Sequence, residues 1–320
     1  MLGNESIELP IINVAPFVQG DAASKRQVAQ EIYQACHQVG FLYLTHHGID
    51  PGVIDRTFEQ SQAFFALPVA TKQKIAWSNE VSNRGYVGME RERLDQTKPG
   101  DLKEAFNVGK ERAEAEVESV NPPLVVNRWP ADLPLFKNTI CHFFDECAVV
   151  VNRLFQAFAI ALNMPEFYIV EKHHTQDFTL RLLHYPPLAA VPKPGQTRAG
   201  AHSDYGSLTL LFQDDMGGLE VQTASGDWVP APAIPGAILV NTGDLMQRWS
   251  NDVFCSTKHR VALPQGEAAR RDRYSIAFFC QPDAEAEIVC FPSCQSADNP
   301  PRYAPITSGE YLLSRLQATY

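Results

Sequence analysis

The sequence predicts a mixed α/β protein with a mainly β core, a sandwich or jelly roll with long helices laid over one face. Three observations carry that reading. Helical periodicity dominates before His174, whereas short alternating runs separated by turn clusters dominate after it. The order, helices first and strands later, is not that of alternating βαβ units. A nucleotide-binding glycine fingerprint and an internal repeat are both absent from the 320 residues.

A short apolar stretch, Leu9 to Val14, opens the series. Ser24 is positioned to cap a helix in which Val28, Ile32, Ala35 and Val39 recur at helical spacing and which Gly40 ends. FLYLTHHG then reads as a strand, and a second helix starts after Pro51, with Val53, Ile54, Phe58, Phe64 and Phe65 as its apolar contacts. The charged, glycine-containing stretch Ser78 to Gly109 reads as a long loop or lid whose aromatics can return to the core. From Leu133 to Asn163 the pattern is helical, with Leu135, Ile140, Phe143 or Phe144, Val151, Phe155 and Phe158 as buried candidates and room for a break. TLRLLHY, SLTLLF, GLEVQT, DWVPA, AILVN, KHRVAL and RYSIAFF follow as strands. Residues 1–100 are expected to form an accessory layer of one composite domain, with 101–320 as the core including the long support helix.

Composition narrows the function classes. Hydrophobic residues make up 45% and charged residues 20%, enough for a large core without staples. A formal charge of -10 argues against a broad surface that tracks nucleic-acid phosphates. The N-terminus has no basic segment leading into an apolar one, and no run approaches the roughly 18 apolar residues of a membrane span. Seven cysteines, an odd number in a chain of this size, fit reduced structural thiols and a cytoplasmic protein; Cys290 and Cys294 lack the second close pair that zinc would want.

The sharpest feature is His202-Ser203-Asp204, with a remote His259 in STKHRV. On a strand, His202 and Asp204 share a face. Two imidazoles and a carboxylate suit a non-haem Fe(II) facial triad with positions left open. An HxD fragment and a distant histidine also arise as polar-loop or core residues, so spacing alone does not decide. Arg273-Tyr274-Ser275 opens another strand, where Arg273 and Ser275 share a face and can grip the carboxylate of a small acid. The competing reading is a surface arginine beside a packed tyrosine. Tyr185, ahead of Pro186 and Pro187, is a third hydrogen-bond candidate, and His184 on the opposite strand face is expected to be structural or rim-forming.

Taken jointly, LPIINVAPF, GFLYLTHHGI, KEAFNVG, RLLHYPP, the HSD fragment, NTGDLMQRWSNDVFCSTKHRV and RYSIAFFCQP resemble the isopenicillin-N-synthase-like group of Fe(II)- and 2-oxoglutarate-dependent oxygenases over nearly the whole chain. The resemblance implies a distorted double-stranded β-helix, a cupin-like jelly roll. It implies His202, Asp204 and His259 as iron ligands, and Arg273, Ser275 and Tyr185 as contacts of 2-oxoglutarate. Many plant-type members carry asparagine two residues before the tyrosine, where this chain has Leu183. The interval from His259 to Arg273 is longer than usual, with PQGEAARRD expected to absorb the excess as a turn; Arg270 and Arg271 lack a serine two positions on.

The activity so implied is oxidation, chiefly hydroxylation, of a small or medium organic substrate with O2, 2-oxoglutarate yielding succinate and CO2. Two alternatives are a 2-oxoglutarate-independent iron oxidase, in which Arg273 and Ser275 receive a substrate carboxylate, and a noncatalytic carboxylate-binding jelly roll. Met89, Arg91 and Phe106 lie in segments expected to close over the entrance. Phe212 and Phe278 are wall candidates, although each also fits simple core packing. No nucleic-acid or membrane partner is expected, and a monomer is compatible with the sequence.

Overall fold

The structure is a computed structural model that describes residues 8–77, 83–113 and 125–319. Its larger sheet has eight strands in the order β1 (Ile11–Asn13), β2 (Phe41–Thr45), β10 (Ala237–Thr242), β7 (Leu208–Gln213), β12 (Arg273–Cys280), β5 (Thr179–Tyr185), β4 (Glu104–Val108) and β3 (Gly85–Val87). The smaller has β6 (Ala199–His202), β11 (His259–Val261), β8 (Leu219–Gln222) and β9 (Trp228–Pro230), and β13 (Glu287–Ile288) pairs with β14 (Ile306–Thr307). Apart from the parallel β1–β2 pair, these pairings are antiparallel. Helices α1 (Ala15–Gln19), α2 (Ala22–Gln38), α3 (Pro51–Phe65) and α4 (Val69–Gln73) precede the long α5 (Phe136–Ala161); α6 (Tyr168–Glu171), α7 (Asp244–Trp249) and α8 (Ser308–Thr319) follow.

Strand alternation sorts the larger sheet into two faces. On β12, Ile276 and Phe278 join the apolar layer under the helices, while Arg273, Ser275, Ala277 and Phe279 line a cavity between the sheets. On β5, Leu180 and Leu182 pack under the helices, and Arg181, Leu183 and Tyr185 face the cavity. Helix α5 clamps the helical side: Phe143 meets Phe212 and Phe144 meets Phe278 edge-on, each pair of rings at 4.9 Å. This long helix runs unbroken, because its buried side, from Phe136 through Cys147 to Phe158, keeps helical spacing throughout.

Several sequence expectations change here. The cap of α2 is Asp21, whose carboxylate accepts from Ser24 N at 2.9 Å; Ser24 lies inside the helix. Gly40 does follow that helix, at φ +75°, and a Cβ there would sit 2.2 Å from Cys255 O. Leu135 precedes α5 and is 66% exposed rather than buried.

The supposed lid, Ser78 to Gly109, contributes β3 and the fully buried β4 to the main sheet; residues 78–82 of it lie outside the described residues. What hid β4 is Glu104, a charged residue on its helical face. That carboxylate accepts from Lys72 Nζ at 2.8 Å, Tyr86 Oη at 2.6 Å and His184 Nδ1 at 2.8 Å, so its burial is compensated by three donors.

PQGEAARRD forms a 3₁₀ turn over Gly266–Arg270. All seven cysteines are unpaired thiols. Among the described residues no helix is long and apolar enough to cross a membrane.

Candidate metal centre and its cavity

Strand β6 ends on His202, and the chain then bends, so Asp204 comes from the loop beyond the strand and not from the strand itself. Strand β11 pairs antiparallel with β6 and sets His259 directly opposite His202. Cross-strand pairing thereby brings a residue remote in sequence beside HxD, with the imidazole centroids 4.3 Å apart. His259 Nε2 lies 3.6 Å and His202 Nε2 3.9 Å from Asp204 Oδ1. One ligand atom from each of the three falls within 4.8 Å of the others, and among the described residues this is the one such cluster of three or more.

Hydrogen bonds prepare these atoms. His202 Nδ1 meets Gly200 O at 2.7 Å and His259 Nδ1 meets Thr257 O at 3.3 Å; a carbonyl only accepts, so each Nδ1 carries a proton and each Nε2 is the ring nitrogen turned toward Asp204. Burial, then the adjacent His259, push His202 down to about 3, against the pull of Asp204. The His202 imidazole is thus neutral, as a metal ligand must be. Burial by itself would raise Asp204, but the facing imidazoles and two hydrogen bonds hold it below the ordinary carboxylate value. Those bonds come from Thr209 Oγ1 at 2.7 Å and Asn241 Nδ2 at 2.8 Å, both onto Oδ2, which leaves Oδ1 toward the histidines.

The adjoining cavity encloses about 1120 Å³ of empty space, its open mouth included. Arg273, 1% exposed, is among the residues that line it. Its Nε donates to Gly217 O at 2.7 Å, Nη2 to Gln213 Oε1 at 2.9 Å and Nη1 to Ser275 Oγ at 3.3 Å, and its guanidinium lies 4.7 Å from the Tyr185 ring centre. Among the described residues no carboxylate comes within 4.0 Å of it. A buried cation so placed favours an anionic ligand. Leu183 presents an apolar side chain to the same cavity.

The expected substrate-pocket residues do not gather here. Phe106, Phe212 and Phe278 pack on the helical side of the sheet, Met89 is 40% exposed, and Arg91 lies over Trp77 at 4.6 Å; none lines the cavity. His184 also faces away, its two ring nitrogens set between the carboxylates of Glu104 at 2.8 Å and Asp272 at 2.7 Å. The walls come instead from Leu94, Asn107, Arg181, Tyr205, Phe279 and, from α8, Leu316. Thr209, Gln213 and Asn241 also escape sequence reasoning, since an isolated polar residue in an apolar strand carries no signal of its partner. Helix α8 escapes it because an amphipathic C-terminal helix says nothing of what it covers.

Residues 176–282 match the model of the 2OG-Fe(II) oxygenase superfamily, and 9–132 match that of the non-haem dioxygenase in morphine synthesis N-terminal region. A 2-oxoglutarate-Fe(II) type oxidoreductase, hxnY of Emericella nidulans, is 32% identical over 97% of this chain and 90% of its own length. The chain belongs to the Fe(II)- and 2-oxoglutarate-dependent oxygenases. Proline hydroxylase buaE of Petromyces alliaceus is 33% identical, covering 98% of this chain and 100% of its own. Among solved structures, a full-length Neurospora crassa protein in complex with alpha-KG and thymine aligns with TM-score 0.89 at 36% identity, covering 100% of this chain and 99% of that one.

As a member of this family the protein is an oxidoreductase that requires Fe(II), 2-oxoglutarate and O2, and its fold is the double-stranded β-helix of its neighbours. The donor set fits the metal: two imidazole nitrogens and a carboxylate oxygen within reach of one another, from three residues that all line the cavity.

Proposed function

We propose that this oxygenase hydroxylates a small organic molecule, with His202, Asp204 and His259 holding Fe(II) and with Arg273, Ser275 and Tyr185 receiving the distal carboxylate of 2-oxoglutarate. One observation carries the reading. A prepared triad, its free ligand atoms within 4.8 Å, lines the same cavity as a buried arginine that has no carboxylate partner among the described residues.

Bound iron supplies the oxidising power by coupling 2-oxoglutarate decarboxylation to O2 activation. The protein's own residues position the reactants. Gly200 O and Thr257 O fix the imidazole tautomers, and Thr209 with Asn241 turns Asp204 Oδ1 toward them. Gln213 and Gly217 O hold the Arg273 fork, and Ser275 adds a hydroxyl beside it. Leu183 replaces an amide contact by an apolar one, so the anchoring rests on the Arg273 end. No side chain is needed as a base, and Asp204 is a ligand.

Two relatives frame the substrate. The Neurospora crassa complex holds thymine, and buaE is a proline hydroxylase. A small heterocycle fits a cavity walled by Phe279, Leu94 and Leu316 with Asn107 and Arg181 among them. The free thiols fit a reducing compartment, the cytoplasm.

The test is a screen with Fe(II), O2 and 2-oxoglutarate that follows succinate and the mass of each product, with no-substrate controls. A gain of one oxygen supports hydroxylation; loss of two hydrogens points to desaturation or ring closure. Succinate formation that is independent of all three ligands would refute the assignment. So would wild-type Fe(II) affinity in folded His259→Ala.

A further inference from the structure

The cavity contains cations beyond Arg273, and their situation is different. Arg181, on the cavity face of β5, gives both arms of its fork to Glu92: Nη1 to Oε1 at 2.9 Å and Nη2 to Oε2 at 2.7 Å. Lys103 Nζ lies 3.0 Å from Glu92 Oε2 and 2.8 Å from Asp101 Oδ2. All four side chains are at most 11% exposed. Two positive and two negative charges therefore meet inside the protein, and Asp101 Oδ1 is further tied to Gly200 N at 2.9 Å.

The polar group next to this cluster is uncharged. Asn107 is the cross-strand partner of Arg181, lines the cavity and is 2% exposed. Its Nδ2 donates to Asn83 Oδ1 at 2.9 Å, whereas its Oδ1 is buried without a hydrogen bond. A buried acceptor left unmade is costly, and a ligand N–H is the group that would relieve it.

We propose that the primary substrate is an uncharged cyclic amide, its N–H directed to the Asn107–Asn83 pair, and that the Arg181–Glu92–Lys103–Asp101 cluster excludes acids and amines. The inference rests on the assignment of Arg273 to 2-oxoglutarate. Of the cavity cations considered, Arg273 lacks a carboxylate, so the one anion the site calls for is the cosubstrate. A second carboxylate, on the substrate, has to pull Arg181 from Glu92 and strand a buried anion. A substrate ammonium meets a Glu92 whose oxygens are already engaged. Phe279 and Leu94 offer the apolar contact that the ring faces need.

Matched probes test this on the wild-type holoenzyme. Calorimetric binding is measured, with 2-oxoglutarate present and O2 excluded, for uracil against 6-carboxyuracil and for thymine against L-proline. The neutral member of each pair is expected to bind at least tenfold more tightly, and N-methylation of uracil at the recognised N–H to weaken binding at least tenfold. Glu92→Gln frees one positive charge and is expected to move the uracil to 6-carboxyuracil affinity ratio at least tenfold toward the acid. Equal or tighter binding of the acid by the wild type overturns the proposal, as does failure of every neutral probe to bind. Tight neutral binding without 2-oxoglutarate conversion in air upholds the neutral pocket and counts against the oxygenase reading. Conversion with preference for acids does the reverse.

Discussion

Thr209 Oγ1 donates to Asp204 at 2.7 Å on the oxygen that turns away from the two imidazoles, while Asn241 donates to the same oxygen at 2.8 Å. The bond settles which carboxylate oxygen is left for a metal. Thr209→Val removes the donor and keeps the shape. Fe(II) affinity is expected to fall by about 10- to 100-fold, the usual effect of losing such a partner, with the triad intact. Anaerobic titration followed by spectroscopy checks this; unchanged affinity would mean that Asn241 alone orients the carboxylate.

Substitutions at Arg273 and Ser275, which line the same cavity, separate charge from geometry. Arg273→Ala should weaken 2-oxoglutarate binding far more than Ser275→Ala, which forfeits a hydrogen bond of about 1 kcal/mol. Lysine at 273 keeps the charge but cannot reach Gly217, Gln213 and Ser275 at once with a planar fork, and it should recover part of the affinity. Equal affinity of wild type and folded Arg273→Ala for 2-oxoglutarate would remove the anchoring role.

Glu104 holds three donors under the sheet, and its removal strands Lys72, which is 3% exposed. Glu104→Leu is expected to cost about 3 to 5 kcal/mol, as breaking a buried ion pair from one side does. Urea unfolding reads the loss. Adding Lys72→Met should restore part of it, because the unpaired charge is then gone.

A pH dependence follows from His173. Its Nδ1 donates to Ile169 O at 2.7 Å, Ser207 Oγ lies 2.9 Å from Nε2, and the ring stacks on Phe155 at 3.9 Å. Burial pushes this histidine from 6.5 down to about 4. Unfolding therefore takes up a proton between these values. Its contribution to stability is complete above about 6.5 and is lost as the pH falls toward 4, with a slope of at most about 1.4 kcal/mol per pH unit. Thermal unfolding of wild type and His173→Gln across that window checks it: the variant should show a shallower decline.

Much of the fold is legible in the sequence because it rests on helical periodicity and strand alternation, and the triad because its residue types stand in a motif. HxD and a distant histidine do name the cluster, but the strand expected to set His202 and Asp204 on one face ends at His202, so Asp204 joins from the loop and His259 from β11 opposite. What is not legible depends on register. Phe278 is a wall candidate by composition, yet alternation from Arg273 and Ser275 already assigns it to the opposite face, beside Phe144. Phe212 needs more, since only its pairing with Ile276 tells which side of β7 it occupies. Strand β4 is masked by Glu104, whose partners Lys72, Tyr86 and His184 come from three separate stretches of chain.

The placement of β2 bears on how the chain is made. This strand is buried between β1 and β10, and β10 begins only at Ala237. On the ribosome, the hydrophobic run Phe41–Leu44 emerges and then waits for roughly ten to forty seconds of synthesis before its antiparallel neighbour exists. Until then its unpaired edge is open to other nascent chains, so heat and fast expression should lower the yield of this protein well before they harm the finished molecule.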